Sequence, residues 1–158
     1  MDKFPTTSEQ NYITGRAALN VPNEDFSFAD WHFDEMFLSG RRSPRVAGID
    51  TESTFELLGN YGIRECGEVL RRCGASLPND EKVYVASHIR AILDMVIFSI
   101  MKQRLPEHVT VHDMLDAPED VAELQTKVNH LKQKLTDPIG LSLLNQWEEK
   151  YIHCDPYA

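Results

Sequence analysis

The apolar positions of this chain keep helical spacing most cleanly in its last third. Val121, Leu124, Val128, Leu131 and Leu135 step by three and four, a heptad seam on a helix that opens near Asp116 with Pro118 in its first turn. Thr136-Asp137-Pro138 stops that helix and starts a second, whose face continues through Leu144, Trp147 and Tyr151. The two predict an antiparallel hairpin. Leu141, Leu143 and Ile152 add more apolar surface than one partner helix covers, so the seam and Trp147 are also candidates for a subunit or partner interface.

Upstream, Ile89, Leu93, Val96, Ile97 and Ile100 hold the same period and predict a central helix ending before Pro106. It begins either at Asp80 or at Ser87, the latter after a short strand through Val83, Tyr84 and Val85. Residues 60 to 73 predict a helix with Arg71 and Arg72 in its last turn and Gly74 beyond it. TESTFELLG predicts a short helix capped by Asp50 and stopped by Gly59, and Val46 to Ile49 a brief extended piece. Ser27, three residues before Asp30, and Gly40 together bracket a helix over 28 to 39. Residues 1 to 25 show no sustained period and read as an irregular arm ahead of one domain, 26 to 158. The expected fold class is mainly α: a compact domain of five to six helices with a C-terminal hairpin and room for one or two short strands.

Composition narrows the functional classes. At 158 residues, 42% hydrophobic and 26% charged, the chain is an ordinary globular domain. A formal net charge of −9 repels phosphate backbones and favours a basic protein as partner. Three cysteines, Cys66, Cys73 and Cys154, form no CxxC pair, which predicts reduced thiols and a cytoplasmic protein, with Cys66 and Cys73 as packing residues on one helix face. His88, Arg90 and Asp94 interrupt the apolar region 83 to 101, which therefore reads as a buried helix rather than a membrane span.

Candidate chemistry is sparse. In DWHFDE, Asp30 and Asp34 are helical neighbours while His32 lies about 160° away, so the three do not converge on one ion. His108 and His112 in HVTVH lack the glutamate of an HExxH site, that position being Val109. Pro106 breaks the helix that would pair Arg104 with His108 in a helical nuclease. No metal, no cofactor and no catalytic residue is expected. Arg90 and Asp94, four apart in the most apolar helix, read as an ion pair at the core edge or, with His88, as the site of a small-molecule-binding domain or an enzyme that takes an anion or carboxylate. Arg41, Arg42, Arg45, Arg71 and Arg72 would suit a DNA-binding regulator only if they converge on one surface.

The function these features predict is a non-enzymatic protein-binding module, an acidic antitoxin- or immunity-type inhibitor of a basic partner. Phe26, Phe28, Trp31 and Phe33 would be its anchors, with Arg41, Arg42 and Arg45 beside them, and a homo-oligomer is compatible with the same surfaces.

Overall fold

The computed structural model describes residues 5 to 23, 45 to 48 and 51 to 153. Among them the chain alternates strands and helices: β1 (Asn11–Ile13), α1 (Gly15–Leu19), β2 (Val46–Gly48), α2 (Phe55–Leu58), β3 (Ile63–Glu65), α3 (Gly67–Arg72), β4 (Tyr84–Ala86), α4 (His88–Met101), α5 (Val111–Met114), α6 (Pro118–Lys134) and α7 (Pro138–Tyr151). The strands make one mixed sheet in the order β2-β1-β4-β3. β1 runs antiparallel to β2, with Tyr12 opposite Ala47, and parallel to β4, with Ile13 opposite Val85. β3 and β4 pair antiparallel with Arg64 opposite Val85.

The protein is thus mixed α/β, and the expectation of a mainly helical domain is overturned by this four-stranded sheet. The irregular arm is corrected with it: β1 and α1 lie within residues 11 to 19, and Tyr12, Ile13, Ala18, Leu19 and Val21 are fully buried. β2 and β4 fall where a brief extended piece and a short strand were expected, whereas β1 and β3, three residues each, are too short to display the alternation by which a strand is recognised in sequence. The expected helix over 60 to 73 is divided for the same reason. Gly62, at φ +72, turns the chain into β3, and only Gly67–Arg72 is helical. Cys66 and Cys73 flank that short helix as its N- and C-caps, and burial pushes the Cys73 thiol pKa up.

α4 is the axis of the core. It is buried along nearly its whole length, with Ala91, Ile92, Leu93, Val96 and Ile97 fully enclosed by neighbours and Arg90 and Asp94 the charged exceptions among them. α1 packs against it from one side, α6 and α7 from others, and the sheet adds Tyr12, Ile13, Ala47 and Val85 to the same cluster. Ser87 caps α4 by accepting from the Arg90 N–H at 3.2 Å, so the helix begins after a short strand.

α6 and α7 form the antiparallel hairpin expected of them. Asp137 caps α7 by accepting from the Ile139 and Gly140 N–H groups, with Pro138 following. Gln125, early in α6, reaches Glu148 at 2.6 Å and His153 at 2.8 Å near the far end of α7. Lys132 adds an ion pair to Glu148; burial alone would raise that carboxyl's pKa, but the hydrogen bonds from Lys132 and Gln125 outweigh it and hold it below its usual value.

α4 ends in a Schellman turn without glycine. The Arg104 N–H bonds to the Ser99 carbonyl and the Gln103 N–H to the Ile100 carbonyl, both at 3.0 Å, and Gln103 sits at φ +57. Left-handed backbone strains a residue with a Cβ. Gln103→Gly is expected to stabilise the fold by about 0.5 kcal/mol, the relief of strain being partly offset by extra freedom in the unfolded chain. Urea unfolding reads the change, and a loss of stability would contradict it.

Candidate functional site

The pair Arg90 and Asp94 lies in the interior, both residues fully buried. Asp94 Oδ2 accepts from the Tyr12 hydroxyl at 2.7 Å and the Thr14 hydroxyl at 2.8 Å, while Oδ1 accepts from Thr54 at 2.6 Å and from Arg90 Nε at 3.1 Å. The remaining guanidinium protons go from Nη1 to the carbonyls of Gly59 (2.7 Å) and Tyr61 (2.8 Å), and from Nη2 to the oxygens of Tyr12 (3.0 Å) and Thr54 (2.8 Å). All five donors of Arg90 are therefore met. Tyr12 and Thr54 each accept from the cation and donate to the carboxylate, which relays one charge to the other.

Neighbouring groups hold this network in that state. Burial, then the charge of Asp94 and its hydrogen bond, push the Tyr12 phenol pKa far up and keep it protonated as a donor. The guanidinium lies 5.2 Å from the centroid of the Tyr12 ring and 5.5 Å from that of Phe55. Thr54 occupies the N-cap position of α2 yet makes no side-chain cap, its hydroxyl being given to Asp94. Gly62 lets the Tyr61 carbonyl approach: a Cβ there would meet Ser87 Oγ at 2.5 Å and Arg90 Cβ at 2.8 Å. His88, also buried, donates through Nε2 to the Val21 carbonyl at 2.7 Å, since a carbonyl can only accept. The residues expected to hold a small anion instead bind β1, the α2 cap and the turn before β3 onto α4.

The other candidates are dispersed. Leu124, Val128, Leu131 and Trp147 are buried in the core, with Val121 and Leu135 partly buried against it, so the heptad seam faces inward. Trp147 donates through Nε1 to the Val109 carbonyl at 3.0 Å. Arg71 donates to the carbonyls of Pro78 and Glu81 and fastens the loop before β4. Arg45 precedes β2 at one edge of the sheet, whereas Arg71 and Arg72 follow β3 at the other. Phe26, Phe28, Trp31, Phe33, Arg41 and Arg42, with the expected helix over 28 to 39, lie outside the described residues, as does Cys154.

A second grouping escaped the sequence reading. Arg45, Lys102, Arg104 and His108 line an open cleft of about 210 Å³ with Met95, Phe98, Ser99 and Leu105. Arg45 stacks on Phe98, 4.4 Å from the ring centroid, and reaches Glu52 at 2.9 Å; Lys102 lies 3.7 Å from the same carboxylate. Burial, then the charges of Arg16 and Arg45, lower the pKa of His108. Arg45 was visible as part of a basic loop, but the others come from separate segments and only the fold assembles them. No local motif marks them.

Among the described residues no cluster of three or more His, Cys, Asp or Glu side chains is arranged to hold a metal ion. No described helix is long and apolar enough to cross a membrane. The chain matches no family model, no curated protein and no solved structure.

Proposed function

We propose that the protein is a binding module without catalytic chemistry of its own, an acidic antitoxin- or immunity-type inhibitor whose partner is a basic protein. The observation that carries this reading is the run Asp113, Asp116, Glu119, Asp120 and Glu123, five carboxylates with no lysine or arginine between them, extending from α5 into the second turn of α6. Asp113, Asp116, Glu119 and Glu123 are exposed. Carboxylates in the first turn suit the helix dipole, but that benefit fades within a turn and does not account for the length of the run. On a chain of net charge −9 such a ridge accelerates encounter with a cationic surface.

Truncation is a poor test, because removing residues 1 to 25 deletes β1 and α1. The neutral triple variant Asp113→Asn, Asp116→Asn, Glu119→Gln keeps the side-chain shapes. The native protein is expected to retain one stoichiometric basic protein from the lysate of its own cells, and the triple variant to associate with it about tenfold more slowly at low salt. Surface-plasmon association rates at two ionic strengths check this. No retained partner, or association indifferent to both salt and neutralisation, would overturn the reading.

A further inference from the structure

The cleft beside Phe98 gathers like charges that elementary electrostatics would keep apart. Lys102 and Arg104 stand at the C-terminal end of α4, where cations complement exposed carbonyls, and that would account for those two alone. Arg45 arrives from the sheet edge and His108 from the loop before α5, and neither is explained by the helix end; the charge of Arg16, on α1, also acts on the His108 ring. α1 lies close to Arg45, since a Cβ on Gly15 would stand 3.9 Å from Arg45 Cδ. Among the described carboxylates Glu52 alone pairs with the cleft residues, where Arg45, Lys102 and Arg104 are three permanent cations. The Schellman turn at Gln103, held by the Ser99 hydroxyl donating to the Arg104 carbonyl at 3.0 Å, fixes Lys102 and Arg104 on the rim at the cost of a left-handed residue.

We propose that this cleft is a binding site for a phosphate monoester, independent of the protein-binding reading. The surplus of positive charge matches a dianion. Arg45, stacked on Phe98, and Arg104 supply planar donors suited to phosphate oxygens, Lys102 supplies a point charge, and the imidazole of His108 adds a hydrogen bond. Half-buried Leu105, backed by the buried Met95 and Phe98, lines the same cleft and receives the ester's apolar group. At about 210 Å³ the space falls below the roughly 300 Å³ where pockets for drug-sized ligands begin, which favours a compact ester over a large cofactor.

Isothermal titration of the full chain with inorganic phosphate and with phenyl phosphate tests the site, beside an NMR titration of the His108 ring. Both anions are expected to bind, phenyl phosphate at least threefold more tightly. Lys102→Ala and Arg104→Ala are each expected to weaken both about tenfold without lowering the melting temperature, while Lys82→Ala, a remote cation, leaves them unchanged. Bound phosphate should move the His108 pKa upward, because a dianion offsets the charges of Arg16 and Arg45 that act on the ring, with Lys102, Arg104, Glu52 and the adjacent Glu107 unchanged. Equal affinity for the two anions would reduce the site to one for free phosphate and overturn the ester. Equal binding by the cleft variants and the native chain, or a His108 titration indifferent to phosphate, would overturn the site altogether.

Discussion

Asp94→Ala is expected to destabilise the protein by about 3–5 kcal/mol, because it leaves the buried Arg90 cation without its counter-charge. The loss exceeds that of one hydrogen bond. Three hydroxyl and guanidinium donors aimed at the carboxylate, from Tyr12, Thr14 and Arg90, would point into a void, and Thr54 would lose its acceptor as well. Against a typical total stability of about 5–15 kcal/mol, such a variant approaches unfolding at ambient temperature. Tyr12→Phe removes one member while leaving the ion pair, and about 1–3 kcal/mol is expected for it. The double variant Arg90→Met, Asp94→Leu should recover much of the loss by exchanging the charges for apolar volume. Urea unfolding at pH 7 distinguishes these cases. A loss under about 1 kcal/mol for Asp94→Ala would mean that water enters the network and that its closure is not what holds β1 to α4.

Trp147→Ala is expected to cost about 3–5 kcal/mol through the cavity it opens, with a further contribution from the orphaned Val109 carbonyl. Trp147 is fully buried where α7 meets α4, so its removal loosens the hairpin from the core. Trp147→Phe keeps part of the ring volume and loses the Nε1 donor, for which about 1–3 kcal/mol is expected. Thermal unfolding followed by circular dichroism checks both, and at this chain length each kcal/mol corresponds to about 2–4 °C. A Trp147→Ala protein as stable as the native one would return this residue to the surface role first suggested by its place on the seam.

The parts of the fold legible in the sequence are those whose signals are local. α6 and α7 announce themselves through five apolar positions in register and the Asp137-Pro138 start, and Ser87 marks the opening of α4 by a cap three residues from its bonded N–H. The regions of β2 and β4 were legible as brief extended pieces, but β1 and β3 were not, and Asn11–Ile13 is too short to stand out until Val46–Gly48 and Tyr84–Ala86 flank it. The same limit governed the site. Arg90 and Asp94 were recognisable as an i,i+4 pair, but Tyr12 lies 82 residues and Thr54 40 residues from Asp94, and neither carries a motif. That missing surroundings is what separates a ligand site from a closed internal network. The cationic cleft was still less visible, since a charge that is ordinary at Arg45, Lys102 or Arg104 becomes unusual only when the three are brought to one place.

The sheet order also sets a timetable for synthesis. β1 occupies an inner position, yet its parallel neighbour β4 ends at Ala86 and the carboxylate that receives its tyrosine is Asp94. The 82 residues from Tyr12 to Asp94 must therefore be synthesised before β1 can meet all of these neighbours, and Tyr12 and Ile13 wait for their burial until then. Strictly sequential folding is closed to this topology, and β1 must wait for α4 to leave the exit tunnel.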